Sequence, residues 1–325
     1  MTAYLIRRIG QTFITLLAMS VLVFVGVYMV GNPVDVMISA TATPAERQQI
    51  ITSLGLDQPV WTQYWNFLLN ALSGNLGNSF LYNQPALQLI FARVPATLEL
   101  AFSALFIALV VGIPLGVWAG LKPRNKSSRG IMALSILGFS LPTFWIGLMM
   151  IMLFSVYLGW LPASGRGDTV NVLGVQLSIF TLDGLSHIAL PALNLALFKI
   201  SLVIRLTRAG VIEALQMDYV RFARAKGLSE ARIVFVHVLK NTLIPLITVI
   251  GLELGSLIAF AVVTETIFAW PGMGKLIIDA IGVLDRPVIL AYLLITVLMF
   301  MVINLVVDIL YTMVDPRVRV VGGSE

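Results

Sequence analysis

The sequence predicts an all-α polytopic membrane protein. Of its 325 residues, 58% are hydrophobic and only 11% are charged, whereas soluble domains usually carry about 25% charged residues. The mean hydropathy is +0.95. Apolar runs that reach the roughly 20 residues needed to cross a bilayer recur along the chain. The composition and the apolar runs together favour a chain that crosses a membrane several times, and they exclude a soluble domain.

Six apolar runs predict six transmembrane helices. The predicted spans are residues 9–30, 97–121, 131–158, 188–204, 243–263 and 288–311. The fourth span is short, and we expect Pro191 and Asn194 to interrupt it, because proline removes a helical hydrogen bond. The first run is too long for the apolar core of a signal peptide, so no cleavable signal peptide is expected.

The distribution of positive charge predicts that both termini are cytoplasmic. Lys and Arg concentrate in the cytoplasmic loops of membrane proteins. With the N-terminus inside, most of the 21 Lys and Arg residues fall on the cytoplasmic side. Those assigned to the outside are Arg47, Arg93, Arg166, Lys275 and Arg286. Basic cytoplasmic loops also account for the net charge of +5, so we expect a lipid bilayer and no nucleic acid as partner.

The predicted spans divide the chain into four regions. These are the N-terminus with the first span (1–30), an external subdomain (31–95), a membrane core (96–319) and a C-terminal tail (320–325). The core includes an external segment, 159–187, and a basic cytoplasmic loop, 205–242.

Local patterns predict structure in both external segments. In the subdomain, Thr43 and Pro44 are typical of a helix start, and a turn at 55–59 precedes an amphipathic aromatic helix. In the segment 159–187, the stretch "VNVLGVQLS" predicts a small β-hairpin.

Residue types that carry catalysis or bind metals are scarce. There is no cysteine, which excludes disulfides, thiolate catalysis and zinc–thiolate sites. The two histidines, His187 and His237, are predicted on opposite sides of the membrane, so no metal site is expected. The "GMGK" stretch ending at Lys275 lacks the spacing of a phosphate-binding loop. We therefore predict that the chain is not an enzyme and binds no cofactor.

Three acidic residues fall within or at the ends of predicted spans: Glu99, Glu253 and Asp308. Charged groups are costly in lipid, so each should face protein or a water-filled cavity. We expect Glu99 to be interfacial and Asp308 to be structural. For Glu253, a structural pairing and a place on a translocation path remain equal alternatives. Asn194 is the second candidate for that path.

The stretch "MDYVRFARAKGLSE" predicts ordered structure inside the basic cytoplasmic loop. Good helix formers from Glu213 to Lys226 predict one helix, and Gly227 is placed to end it with a left-handed cap. Ser229 with Glu230 then begins a second helix that is expected to reach residue 241 before the fifth span.

This predicted helix favours docking to another protein over a merely solvated loop. Tyr219, Ala223 and Lys226 should share one face, at spacings of four and three. The small Ala223 and Ala225 would let another surface approach closely. A loop that served only to set topology would not need two short helices and a glycine cap.

Several stretches resemble one family of membrane proteins. They are "YLIRRIGQTF", "LGLDQPVWTQYWNFL", "GNLGNSF", "GFSLPTFWIG", "DYVRFARAKGLSEARIVFVHVLKNTLIPLITV", "VVTETIFAWPGMGKLIIDAI" and "NLVVDILYTMVDPRVR". Together they cover nearly the whole chain in order. The chain resembles permease subunits of binding-protein-dependent ABC importers, within the dipeptide, oligopeptide and nickel branch.

The resemblance implies a type I ABC importer transmembrane fold with six transmembrane helices. It implies a heterodimer with a second permease subunit, two ATPase subunits that bind ATP and Mg, and a periplasmic or extracellular substrate-binding protein. The location it implies is the bacterial cytoplasmic (inner) membrane. The chain itself would be non-catalytic, because ATP hydrolysis belongs to the ATPase subunits.

The resemblance also assigns a role to the cytoplasmic stretch, which would be the helix that couples the permease to an ATPase. The implied coupling residues are Met217, Asp218, Tyr219, Arg221, Phe222, Ala223, Arg224, Ala225, Lys226, Gly227 and Leu228. Di- or oligopeptides are the implied substrate. The alternatives are nickel or another small solute, and an ion-coupled secondary carrier.

Overall fold

The computed structural model describes residues 2–30, 43–53 and 55–314. In sequence order the helices are α1 (Thr2–Val30), α2 (Pro44–Ser53), α3 (Val60–Leu72), α4 (Ala86–Leu121), α5 (Lys126–Ser140), α6 (Thr143–Met150), α7 (Leu182–Gln216), α8 (Asp218–Ala225), α9 (Glu230–Arg232), α10 (Leu239–Ile267), α11 (Met273–Gly282) and α12 (Arg286–Val314). Two π-helical segments, Ile151–Tyr157 and Ile233–Val238, follow α6 and α9. A hairpin joins strands β1 (Val170–Val172) and β2 (Val175–Leu177).

The described helices confirm a multi-pass membrane architecture but not six spans. Four helices are long and apolar enough to cross a membrane: Ala86–Leu121, Leu182–Gln216, Val249–Ile267 and Arg286–Val307. A bent pair of helices around residues 138–143 would make a fifth. The first predicted span contributes only a shorter apolar helix, Phe13–Gly26, among the described residues.

The second and third predicted spans differ clearly from the helices of the structure. The second begins at Ala86, ahead of the expected residue 97, and runs through Arg93 and Pro95, which the sequence analysis assigned to the external subdomain. The third is broken at Leu141, where its two parts bend by 103°. Leu141 is extended (φ −85°, ψ 139°), as expected of a residue before proline.

The prediction that the fourth span is short and interrupted was wrong. Helix α7 runs through Pro191 and Asn194 for 35 residues, and both side chains are buried. Neighbouring helices can satisfy the backbone groups that a proline frees, which lets membrane helices tolerate it. α7 is the most enclosed of the four long apolar helices, with 61% of its apolar stretch buried.

The chain forms two compact units. The first comprises Met1–Ala96 and Pro271–Val302, and the second comprises Thr97–Trp270 and Ile303–Glu325. The division into an external subdomain, a membrane core and a tail stays a prediction. Residues 31–42 and 320–325, and the side chain of Asp308, lie outside the described part.

The first unit contains the predicted helix start at Thr43. The Thr43 N–H donates to Glu46 Oε2 (2.8 Å), and the Glu46 N–H donates to Thr43 Oγ1 (3.3 Å). This reciprocal capping lowers the pKa of the Glu46 carboxyl. Helix α3 packs on α1 through Tyr64 and Phe67, whose rings lie 5.4 and 5.6 Å from that of Phe24.

The second unit contains the predicted hairpin. β1 and β2 pair antiparallel, with Val172 opposite Val175. The turn between them places Leu173 and Gly174 at φ +52° and +87°, the signs of a two-residue turn that suits strand twist. Leu173 at the tip is fully exposed.

Close packing of α4 on α7, within the second unit, depends on three glycines one helical turn apart. A Cβ added at Gly112, Gly116 or Gly120 would lie 2.6–2.8 Å from side-chain atoms of α7. Small residues at such spacing let membrane helices approach closely. The sequence carries this signal in "GIPLGVWAG", which we did not interpret in the sequence analysis.

Candidate functional site

The predicted helix over 213–226 is in fact two helices. α7 ends at Gln216, Met217 is extended (φ −71°, ψ 148°), and α8 begins at Asp218. Leu215 and Gln216 before Met217 are good helix formers, whereas Asp218, Tyr219 and Val220 after it are weaker ones. This local signal was outweighed by the good helix formers elsewhere in 213–226. The corner brings Val220 and Ala223 of α8 onto the end of α7, and that packing determines where the chain turns.

The prediction of a glycine cap after α8 is confirmed. Gly227 has φ +76°, in the left-handed region. The Ser229 side chain then caps α9 by accepting a hydrogen bond from the Arg232 N–H. From Glu230 the chain continues helically through a π-helical segment into α10, so the expected separation near residue 241 is absent.

One face of α8 is buried against the chain itself. Val220 is 0% and Ala223 5% exposed, and they pack in one cluster with Val211, Ala214, Ile233 and Val238. Leu228 packs partly buried against the same cluster. The sequence analysis expected the small Ala223 side chain to face another protein. It is instead buried within this chain. It also does not share an exposed face with Tyr219 and Lys226.

The opposite face of α8 combines exposed aromatic and charged side chains. Phe222 is 61% exposed, and Met217 and Tyr219 are also exposed. The Lys226 ammonium lies 4.6 Å from the centroid of the Phe222 ring, close enough for a cation–π contact. This surface, formed by Met217, Asp218, Tyr219, Arg221, Phe222, Arg224, Ala225 and Lys226, is hereafter the outer face of α8.

Acidic neighbours offset much of the positive charge on the outer face. Arg224 donates two hydrogen bonds to Glu230, of 2.8 and 3.2 Å. These bonds lower the pKa of the Glu230 carboxyl and raise the pKa of Arg224. Arg221 lies 3.4 Å from Asp218. The outer face of α8 therefore carries little net charge, and exposed aromatic side chains make up much of its surface.

Asn194, a predicted path residue, is buried inside the second unit. It is 1% exposed, and its Nδ2 donates to Thr264 Oγ1 at 3.1 Å. Its Oδ1 has no hydrogen-bond partner among the described residues. Because buried polar groups are nearly always satisfied, a buried oxygen without a described partner is unusual.

Glu253, the other predicted path residue, is paired. It forms an ion pair with Lys199, and Ser256 donates a hydrogen bond to the same carboxylate oxygen at 2.8 Å. The Lys199 side chain is 5% exposed and that of Glu253 29%. The sequence analysis counted Lys199 with the cytoplasmic basic residues, although it lies within the fourth predicted span, 188–204. A lone lysine within the apolar run "LNLALFKISLVI" was the signal for a buried partner.

Glu99 holds the external segment through four hydrogen bonds. Its Oε2 accepts from Arg166 Nε and Nη2 (3.0 and 2.6 Å), and its Oε1 accepts from the backbone N–H groups of Ser178 and Ile179 (2.6 and 2.9 Å). The Glu99 side chain is 1% exposed. The fold of the segment covers Glu99, and its place at the membrane interface stays a prediction. The Arg166 guanidinium also lies 5.8 Å from the Trp270 ring.

A fully buried acid, Glu265, was missed by the sequence analysis. Its Oε1 accepts a hydrogen bond from Thr97 Oγ1 at 2.6 Å, and both residues are buried. The predicted fifth span stopped at residue 263, two residues short of it, whereas α10 ends at Ile267. Among the described residues, no three His, Cys, Asp or Glu side chains are grouped so that they could hold a metal ion.

Comparison with known families defines the class of this protein. Residues 112–320 match the family described as the binding-protein-dependent transport system inner membrane component, and residues 1–101 match its N-terminal region. The chain belongs to this family and is a membrane component of such a transport system. The family resemblance inferred from the motifs is confirmed.

Relatives narrow the class further. The chain is 41% identical to the di/tripeptide transport system permease protein DppB of Pseudomonas aeruginosa (strain UCBPP-PA14), over 98% of this chain and 99% of the relative. It is 38% identical to the dipeptide transport system permease protein DppB of Escherichia coli (strain K12), over 98% of this chain and 99% of the relative. It is 40% identical to the oligopeptide transport system permease protein AppB of Bacillus subtilis (strain 168), over 98% of this chain and all of the relative.

The fold agrees with a solved transporter. The inward-facing MetNI methionine ABC transporter matches with a TM-score of 0.54 and 19% identity, over 70% of this chain and 97% of the matched chain. This similarity confirms the permease fold for the part of the chain that it covers.

Proposed function

We propose that the chain is the permease subunit of an ABC importer for di- or oligopeptides. The observation that carries this proposal is 41% identity over 98% of the chain to a di/tripeptide permease. The chain would form half of the translocation path beside a second, homologous permease subunit. A substrate-binding protein would deliver peptide from outside, in a bacterial inner membrane with both termini of this chain cytoplasmic.

The outer face of α8 is proposed to dock into an ATPase subunit. Two features support this role. The helix is anchored to its own chain by Val220 and Ala223, so a force on α8 would be transmitted to α7 and α10. Its other side leaves Phe222 and Tyr219 exposed next to cationic groups, and large aromatic side chains are enriched at the energetic centres of interfaces.

In this proposal the chain performs no chemistry. ATP and Mg would bind the ATPase subunits, and their closure would move α8 as a rigid body. The buried cluster that joins α8 to the ends of the long helices would convert that movement into a switch between inward- and outward-facing states. Such a switch is biased by a ligand bound to a different chain.

The buried polar groups of the second unit are proposed to belong to the transport path. The Oδ1 of Asn194 can accept a hydrogen bond from a peptide N–H without desolvating a full charge. The Lys199–Glu253 pair is partly open on its Glu253 side, so this carboxylate can exchange partners during transport. A Glu253→Gln variant should alter peptide uptake. Unchanged uptake with lowered thermal stability would assign the pair a structural role.

Docking of α8 is tested by copurification. Phe222→Ala should strongly reduce the amount of ATPase subunit that copurifies with the permease. Phe180, also a phenylalanine with 61% exposure, lies in the external segment, and Phe180→Ala is the matched control that should retain the ATPase. Equal retention by both variants would show that the outer face of α8 is not the docking site.

Substrate class is tested by uptake into cells. Deletion of the gene should abolish uptake of labelled di- and tripeptides, and restoring the chain should recover it. Intact peptide uptake with loss of nickel uptake would favour the nickel alternative. Uptake that persists without the ATPase subunits would favour an ion-coupled carrier.

A further inference from the structure

A half-open cavity of about 780 Å³ lies within the first unit. The end of α2, the following turn, α3, the loop over residues 76–83 and the start of α12 line it. Its volume is typical of sites that bury drug-sized ligands, roughly 300–1,000 Å³, a range that includes short peptides. By the predicted topology it opens on the external side, where substrate arrives.

The lining is rich in neutral carboxamides. The cavity is lined by Gln58, Gln63, Asn66, Asn70, Asn78 and Asn83. Gln63 and Asn66 hold the turn in place, because Gln63 Nε2 donates to the Gln58 carbonyl at 2.8 Å and Asn66 Nδ2 donates to Gln58 Oε1 at 3.3 Å. The side chains of Asn70, Asn78 and Asn83 make no hydrogen bond to another described residue.

This chemistry matches a peptide main chain. A carboxamide offers two N–H donors and an acceptor oxygen, so it can pair with both the C=O and the N–H of a peptide unit. Phe24, Phe67 and Leu290 provide apolar lining for side chains. Arg286 is the one charged residue of the described lining, and guanidinium groups bind carboxylates in a bidentate manner. A free peptide C-terminus is the complementary group.

The walls of the cavity are held in position before any ligand binds. Ser79 Oγ donates to the buried Asp285 carboxylate at 2.5 Å, and the Leu81 N–H donates to the same oxygen at 3.3 Å. These bonds fix the loop over residues 76–83 against the segment that leads into α12. A preformed site loses less conformational entropy on binding.

We propose that this cavity is a binding site for short peptides with a free C-terminal carboxylate. It would receive peptide on the external side before the peptide enters the path between the helices. The neutral carboxamides would hold the main chain whatever its side chains, and Arg286 would hold the carboxylate. The inference rests on the proposed peptide importer function and adds a substrate site to it.

Binding of labelled trialanine to the complete transporter in lipid nanodiscs, without the binding protein, tests the proposal. Asn70→Leu removes a donor and an acceptor from the lining and should weaken binding about three- to tenfold, the effect of one or two hydrogen bonds. Gln84 is exposed and lies outside the lining, so Gln84→Leu is the matched control and should bind as wild type. Trialanine amide, which lacks the carboxylate, should bind at least about fivefold more weakly than trialanine.

Three results would overturn the proposal. The first is no saturable trialanine binding by the wild-type transporter, and the second is equal trialanine binding by both variants. The third is unchanged trialanine binding by Asn70→Leu together with weaker binding of the purified binding protein, which would make the cavity a protein-docking site. Peptide uptake by wild-type cells distinguishes failure of this inference from failure of the proposed importer function. If uptake occurs and the cavity does not bind peptide, only this inference fails, whereas absence of uptake refutes the importer function.

Discussion

A single methyl group added at Gly116 should force α4 away from α7. In Gly116→Ala the new Cβ would lie 2.6 Å from Thr207 Cβ and 2.9 Å from the carbonyl oxygen of Ile204. Optimal carbon–carbon contacts are about 3.5–4.0 Å. Because one of the clashing atoms belongs to the backbone of α7, a rotamer change cannot relieve the overlap, and the helices must separate locally.

The expected cost is that of overpacking a filled interior, about 1–3 kcal/mol. Gly130 in α5 provides the matched control, because a Cβ there would meet nothing within 4 Å. Gly130→Ala exchanges the same residue types in a helix and should be neutral or stabilising by up to about 1 kcal/mol, from helix propensity alone.

Thermal unfolding of the purified chain in detergent, followed by intrinsic fluorescence, measures the difference. We expect the midpoint of Gly116→Ala to fall by about 2–10 °C and that of Gly130→Ala to stay or rise. If the two variants unfold at the same temperature, close approach of α4 and α7 is not the reason for glycine at this position.

Two further predictions concern the loop cap and the external segment. A Cβ added at Gly227 would meet no neighbouring atom, but the backbone there is left-handed. Gly227→Val should therefore lower the free energy of unfolding by about 1–2 kcal/mol and reduce transport per ATP hydrolysed. Gly227→Asn should transport as wild type. Glu99→Gln leaves Arg166 without its buried counter-charge, which should cost about 3–5 kcal/mol and speed chymotryptic cleavage of the segment 159–187. Cleavage at the wild-type rate would show that the Glu99–Arg166 pair does not hold that segment.

Sequence reasoning succeeded where a few adjacent residues decide the structure. The helix start at Thr43, the hairpin in "VNVLGVQLS" and the left-handed cap at Gly227 each depend on residues within a few positions of one another. Residue types there have strong backbone or hydrogen-bond preferences of their own. Such signals can be recognised in the sequence without knowledge of the rest of the chain.

The same reasoning failed where a neighbouring helix decides the structure. Pro191 predicted an interrupted helix, but α7 is continuous through it because neighbouring helices enclose α7. Met217 turns the chain because Val220 and Ala223 pack onto the end of α7, although the summed helix propensity over 213–226 favours one helix. Hydropathy likewise ended the fourth span at residue 204, whereas α7 continues to Gln216.

By itself the sequence determined the class of protein. An apolar content that no soluble surface could accommodate indicated a membrane protein, and motifs spread over nearly the whole chain resembled one permease family. The tertiary structure alone decided which side of α8 is exposed and which polar groups meet. Glu99 and Arg166 are 67 positions apart, and Lys199 and Glu253 are 54 apart. Pairing at such separations is set by helix packing, which no local pattern encodes.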